Sequence, residues 1–172
     1  EGDAYWHPPR SSHAYGAPEL ERPFGAPADT LRRGLAHLAE HKRDLPAGTF
    51  VFVVSDFLEP PTRDEWLDAL ERRFELVPVV VQDRVWEQSF PDVSGVVVPF
   101  AAPDGSGVSL LALTEREVRE TREHNEQRWE ELLYEMRALD LDPVVVGSHE
   151  QRDVVSSFLA WADQRMFTRG RA

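Results

Sequence analysis

Two histidines and a glutamate lie within five residues of one another in the stretch HLAEH, residues 37–41. In a helix His37 and His41 lie one turn apart on the same side, with Glu40 beside them. The pattern H-x-x-E-H is the signature of a class of zinc peptidases, in which both imidazoles bind zinc and the glutamate is the general base. A further glutamate would complete the ligand set, and residues 115–120 offer candidates.

The same stretch also suits an ordinary surface helix. Its leucine spacing predicts a buried face made of Leu31, Leu35, Leu38 and Leu45, which places Glu40 opposite that face and the histidines on its polar flank. A catalytic zinc helix should turn its ligands into a cleft, and short motifs often match by accident. The sequence therefore favours a structural helix here and keeps the zinc metallopeptidase as the alternative.

Another carboxylate stands where an α/β fold places its ligands. The run FVFVV, residues 50–54, lacks polar alternation and predicts a strand covered on both faces. Ser55 and Asp56 follow it, at the expected carboxyl end of a parallel sheet, where such folds bind ligands. Taken alone, an aspartate at this place more often caps a turn.

Strands alternate with helices along most of the chain. LVPVVV (residues 76–81) and DPVVVG (residues 142–147) predict two more buried strands, and GVVVPF and VSLLAL flank the turn AAPDGSG as a hairpin. The alternation predicts one three-layer α/β domain with a mostly parallel sheet over residues 29–172. Residues 1–28 hold five prolines and are predicted as an aromatic, proline-rich extended segment.

Four helix starts are marked by polar capping residues. Asp29 or Thr30 can cap the helix that carries HLAEH. Capping boxes at Thr62 and Thr114 predict a second helix and a long charged third one. Ser148 predicts the start of the last helix. The apolar faces of the second and last helices are predicted to contain Trp66, Leu67, Leu70 and Phe74, and Val154, Val155, Phe158, Leu159 and Ala162.

An excess of acidic residues narrows the function classes. The chain has 31 acidic and 19 basic residues and a formal charge of −12, which disfavours nucleic-acid backbones and anionic membrane surfaces as partners. The absence of cysteine excludes disulfides, thiolate metal sites and a cysteine nucleophile. No apolar run approaches the roughly 20 residues that span a bilayer, so we predict no membrane span and a cytoplasmic location.

Three segments together resemble one family. LPAGTFVFVVSDFLEPP, RFELVPVVVQDRVWEQSFPDVSGVVVPF and LTEREVRETREHNEQRWEELL are similar to the carboxyl-terminal half of domain of unknown function 58, the von Willebrand factor A-like proteins associated with MoxR-type AAA ATPases. The resemblance extends from about Thr30 onward. It depends on the order of a strand ending in S-D-F, a strand ending near D-x-x-x-E (residues 83–87), a hairpin and a long charged helix.

The resemblance implies a metal-ion-dependent adhesion site at the carboxyl ends of the central strands. That family supplies its ligands from a D-x-S-x-S motif, a threonine in a later loop and an aspartate after the fourth strand. S-D-F matches the third of these, so Asp56 is the predicted ligand, and Thr30 or Asp29 in ADTL lies near the place of the threonine. Oxygen ligands of this kind suit Mg²⁺ or Mn²⁺ in the complete protein.

The D-x-S-x-S motif is absent, so the adhesion site is expected to be incomplete. The partial matches at Asp92 and Asp104 offer only the first serine and lie too late in the chain. Since the chain opens at Glu1, we expect a fragment or processed piece that lacks the first strands of the fold and holds no ordered cation. A missing amino-terminal part could associate with a membrane, and the strand over residues 50–54 would lose a neighbour and expose an apolar edge.

The first functional hypothesis is a non-enzymatic protein-interaction module of von Willebrand A type. The resemblance implies a MoxR-type AAA ATPase and client proteins as partners, in protein assembly or maturation. The alternatives are the zinc metallopeptidase and a scaffold that has lost metal binding. We predict that Asp56 faces Asp29 and Thr30 and accepts hydrogen bonds from backbone N–H or hydroxyl groups.

Overall fold

The computed structural model describes residues 29–101 and 107–169, which contain four α-helices and five strands. The helices are α1 (Thr30–His41), α2 (Arg63–Ala69), α3 (Glu115–Ala138) and α4 (Gln151–Arg169). The strands are β1 (Phe50–Ser55), β2 (Glu75–Val81), β3 (Val97–Ala101), β4 (Val108–Ala112) and β5 (Val144–Val146). The segment predicted over residues 1–28 lies outside the described residues.

The strands form one parallel sheet and one antiparallel ribbon. The sheet has three strands in the order β1-β2-β5, and Val79 to Val81 of β2 pair with Val144 to Val146 of β5. In the ribbon, β3 and β4 pair antiparallel, with Pro99 opposite Leu110. The predictions of an α/β fold, a mostly parallel sheet and a hairpin are confirmed, whereas the von Willebrand A type stays a prediction.

The chain divides into two compact units, Glu1–Pro78 and Val79–Ala172. In the first unit α1 packs on α2, and the predicted leucine face buries Leu35 and Leu38. The capping box at the start of α2 is present: the Thr62 hydroxyl accepts from the backbone N–H of Glu65, and the Glu65 carboxylate accepts from that of Thr62.

The predicted apolar face of α2 includes two residues, Leu70 and Phe74, that lie beyond the end of the helix. The helix ends at Ala69, and Leu70 is already extended, with a ψ of 143°. The chain then turns, and Arg73 O accepts a hydrogen bond of 2.7 Å from Gly48 N. Phe74 is buried from this turn rather than from the helix, while Leu67 is 48% exposed. The bond to Gly48 aligns the chain for β2, and a longer helix could not make it.

The prediction that β1 is covered on both faces is wrong. Its side chains alternate, with Phe50, Phe52 and Val54 exposed and the residues between them half-buried. Among the described strands, β1 is an edge strand of its sheet. The rings of Phe50 and Phe52 stack on each other at 6.3 Å between centroids.

β2 begins in the first unit and ends in the second, and the second unit buries apolar side chains of β5 and of α3. β2 is buried from Leu76 to Val80, and α3 contributes Leu132 and Met136 to the core. The predicted capping box at Thr114 and Glu117 begins α3. The predicted structure of this region is thus confirmed at the level of elements.

Three residues of the predicted face of α4, Val154, Phe158 and Ala162, are half-buried, but the observed face is rotated away from the other two. Val155 and Leu159 are 50% and 61% exposed, whereas Ser157 and Trp161 are half-buried. The Trp161 indole N–H donates to Asp142 O at 2.9 Å, which turns this side of the helix towards the chain before β5. Ser148 lies before α4, where its hydroxyl accepts from the Glu150 N–H.

Candidate functional site

The histidines and the glutamate of HLAEH converge at the carboxyl end of α1. One potential ligand atom from each of His37, Glu40 and His41 lies within 4.8 Å of the other two. The two imidazole rings are 4.1 Å apart between centroids and tilted by 30°. Both histidines are half-buried and Glu40 is exposed. The cluster lies on the flank of α1, beside rather than on its buried leucine face.

A backbone hydrogen bond orients the ring of His41. Its Nδ1 lies 2.9 Å from the carbonyl oxygen of His37. Because a carbonyl only accepts, Nδ1 carries the hydrogen in this arrangement and Nε2 has the lone pair. A backbone carbonyl bound to the far ring nitrogen is the usual outer-shell partner of a metal-binding histidine.

Asp56 lies in a tight turn directly after β1. Its Oδ1 accepts from the Leu58 N–H at 3.2 Å and from the Ser55 hydroxyl at 3.4 Å. The Ser55 Oγ in turn accepts from the Phe57 N–H at 3.1 Å. The predicted bonds to a backbone N–H and a hydroxyl are therefore observed, and they make Asp56 an exposed turn residue.

The phenylalanine of S-D-F supports this turn from inside. Phe57 is fully buried and stacks on Trp66, with 6.0 Å between ring centroids. Its φ of 51° lies in the left-handed region, which is unfavourable for a bulky side chain. Packing on Trp66 offsets that cost, so the motif has a clear structural role at Phe57.

Asp29 and Thr30 stand at the start of α1. Asp29 occupies the N-cap position, but its side chain makes no capping hydrogen bond. Thr30 is the first residue of the helix and is half-buried. A common cation site of these two residues with Asp56 stays a prediction.

The D-x-x-x-E stretch forms a capped turn. Asp83 Oδ1 accepts from the N–H groups of Val85 and Trp86, and Glu87 Oε2 accepts from the Asp83 N–H. The backbone N–H of Glu87 and of Gln88 both bond to Asp83 O. Both carboxylates therefore satisfy backbone donors at the start of one helical turn.

Three side chains of α3 hold the carbonyl end of that turn. Asn125 Nδ2 donates to Trp86 O and Ser89 O at 3.1 and 2.6 Å. Arg122 donates to Phe90 O at 2.8 Å. Arg128 donates to the carbonyl oxygen of Glu87 in the same turn. This clamp, which consists of Arg122, Asn125 and Arg128, was not predicted from the sequence.

A cleft at the carboxyl end of β5 was not predicted from the sequence either. Its volume is about 490 Å³, and Arg84, Asp153 and the serines at 148, 156 and 157 line it. A Cβ on Gly147 would lie 2.7 Å from Arg84 Nε, so the glycine makes room for this arginine. The sequence signal that could have indicated the cleft is the pair Gly147 and Ser148, between a buried strand and a helix.

The β3–β4 ribbon presents an apolar face to solvent. Alternation along the paired strands puts Val97, Pro99, Val108, Leu110 and Ala112 on one side, and all five are exposed. The exposed fractions of Val108 and Leu110 reach 65% and 71%. Among the described elements, the two strands contact each other far more than they contact anything else.

The chain matched no protein-family model, no curated protein and no solved structure. Within the described part of the chain, no helix is both long and apolar enough to cross a membrane.

Proposed function

We propose that this chain is a non-enzymatic protein-interaction module of von Willebrand A type, which acts with a MoxR-type AAA ATPase in the assembly or maturation of client proteins. The observation that carries the proposal is the exposed apolar face of the β3–β4 ribbon. Exposed apolar patches of this kind are characteristic of protein-binding surfaces.

The ribbon needs a packing partner for physical reasons. A two-stranded hairpin is marginally stable in water unless a third strand or another surface packs on it. Its outward face here is formed by Val97, Leu110 and their neighbours, with no charged residue in either strand. Burying these side chains on a partner would remove their contact with water, at roughly 25 cal/mol for each Å² of apolar surface.

The outer edge of β4 suits the addition of a partner strand. Edge strands are commonly protected by lysine, proline or a bulge. β4 has the sequence VSLLA and contains neither proline nor charge, whereas β3 contains Pro99. A partner strand would gain backbone hydrogen bonds at β4 and apolar contacts on the ribbon face.

A second apolar surface lies on α4. Val155, Leu159 and Met166 are 50%, 61% and 67% exposed. They are spaced by four and seven residues and therefore share one side of the helix. The stripe gives the same unit of the chain a helical contact surface as well as a strand.

The proposed interaction does not require a bound cation. Asp56 Oδ1 already accepts two hydrogen bonds within its own turn, and one carboxylate holds Mg²⁺ or Mn²⁺ poorly. Asp29, Thr30 and Asp56 are proposed as ligands only for a site that the D-x-S-x-S motif would complete. The interaction surface is independent of that site.

Binding to a purified MoxR-type ATPase from the same organism tests the proposal. Leu110→Glu should weaken binding at least roughly tenfold, because the substitution places a charge at the centre of the apolar face. Leu67→Glu is the matched control, since Leu67 is also an exposed leucine but lies on α2. Equal affinities of the wild type and Leu110→Glu, with folding verified by circular dichroism, would contradict the proposal.

The second candidate function is a zinc metallopeptidase, which the convergence of His37, Glu40 and His41 favours. In that case the purified chain should hydrolyse peptides in a zinc-dependent manner, and Glu40→Gln should abolish turnover while zinc stays bound. Absence of zinc-dependent hydrolysis from a zinc-loaded chain would remove this candidate.

A further inference from the structure

We infer that the carboxyl end of α1 binds one divalent cation of the zinc class through His37, Glu40 and His41, with Glu40 as a metal ligand. The inference concerns a metal site that stabilises the end of a helix and does not depend on the interaction module. It differs from the peptidase candidate at the same cluster, because Glu40 is here a metal ligand and not a general base. Its basis is the geometry of three side chains on one helical turn.

Helix periodicity brings the three side chains together. At 3.6 residues per turn, positions 37, 40 and 41 fall within an arc of about 100° around the axis. The potential ligand atoms lie within 4.8 Å of one another. Around a zinc ion with bonds of about 2.1 Å, tetrahedral ligand atoms are about 3.4 Å apart, so rotamer changes that close about 1.5 Å suffice.

The donor set favours a late first-row metal over magnesium. Two imidazoles and a carboxylate suit Zn²⁺, Co²⁺ and Ni²⁺, whereas Mg²⁺ prefers oxygen ligands only. His41 is oriented for this role because its Nδ1–H donates to the carbonyl of His37, which directs the lone pair to Nε2.

The positively charged side chain next to the cluster, that of Lys42, points to another part of the chain. Lys42 follows the cluster directly, and its Nζ donates to Asp68 O and Leu70 O at 2.8 and 3.3 Å. Its ammonium group therefore caps the carbonyl end of α2. Glu40, in contrast, is exposed and can turn towards a cation at small cost.

The effect of the metal is structural. No further His, Asp or Glu among the described residues joins the three in a group close enough to share an ion, so water fills the remaining coordination positions. Bonds to positions 37, 40 and 41 close the last turn of α1, just before the short 3₁₀ turn Lys42–Asp44. Metal binding should therefore stabilise the helix end against fraying.

Calorimetric titration of the whole chain with Zn²⁺ tests the inference. We expect one zinc per chain, a loss of affinity of roughly tenfold or more in His37→Ala and in His41→Ala, and a weaker affinity in Glu40→Gln. His124→Ala is the matched control, because His124 is an exposed helical histidine with no histidine one turn away. His7→Ala/His13→Ala should also bind zinc normally.

Two outcomes would overturn the inference. One is wild-type zinc affinity in His37→Ala or His41→Ala, and the other is loss of zinc binding in the His7/His13 double variant. If His37→Ala loses helical content by circular dichroism, His37→Gln replaces it. Zinc-edge X-ray absorption of the wild type should then show two imidazoles per zinc, and a zinc shell without imidazole would equally exclude the site.

Discussion

The buried phenylalanine and the exposed aspartate of the S-D-F turn have different energetic roles. Phe57 is fully buried against Trp66, whereas Asp56 accepts hydrogen bonds at the surface. Phe57→Ala should lower the free energy of unfolding by about 3–5 kcal/mol through the cavity that it leaves. Asp56→Ala should lower it by about 1 kcal/mol or less. Urea denaturation measures both, and a loss at Asp56 as large as that at Phe57 would show that this carboxylate does more than close the turn.

Asp142 should make the free energy of unfolding depend on pH. Burial raises the pKa of the Asp142 carboxyl, and the nearby Asp140 carboxylate raises it further. The folded state therefore holds this proton more tightly than the unfolded chain, so this contribution to stability is present at low pH and lost as the pH rises through the folded-state pKa.

Asp142→Asn should therefore stabilise the protein at neutral pH. We expect a gain in unfolding free energy of less than about 1 kcal/mol, since solvent screens most of the effect. The gain should disappear below about pH 3, where aspartate is protonated in both states. Asp163→Asn, at an exposed position of α4, is the control. A gain of equal size at both pH values would contradict the explanation.

The long helix α3 stabilises the turn after β2 through the side chain of Asn125. Asn125 is 7% exposed and bonds to the carbonyls of Trp86 and Ser89. Asn125→Ala would leave these buried acceptors without their donor and should cost about 2–3 kcal/mol of unfolding free energy. Gln127→Ala is the control on the same helix, because Gln127 is exposed and bonds only within α3. A cost within about 0.5 kcal/mol of the control would contradict the clamp.

Local patterns predicted the elements well. The capping boxes at Thr62 and Thr114 depend on residues three positions apart, so they could be recognised without knowledge of the fold. The HLAEH cluster is local in the same sense, since one helical turn brings its members together. The predicted resemblance to von Willebrand A domains goes further than these patterns and stays a prediction.

The features that were not predicted depend on contacts between residues far apart in the sequence. The burial of β1 depends on what packs on its two faces, and the face of α4 is turned by the bond from Trp161 to Asp142, 19 residues away. The Asn125 clamp joins residues 36 and 39 positions apart. No periodicity within one element reports such contacts, so the clamp and the cleft at Arg84 were missed.

The chain combines a large acidic charge with exposed apolar surface. The formal charge of −12 keeps copies of the chain apart through electrostatic repulsion. The paired strands β3 and β4 are free of charge, so they can dock on another protein without desolvating an ion. This contrast favours association with a different protein over self-association.

Hydrogen exchange can test whether the β3–β4 ribbon docks on a protein partner. Amide exchange should be measured for the chain alone and saturated with the MoxR-type ATPase. We predict that amides of Val97–Ala101 and Val108–Ala112 exchange roughly tenfold more slowly in the complex, while those of α1 are unchanged. Unchanged exchange in the ribbon of a chain that is demonstrably bound would contradict this docking.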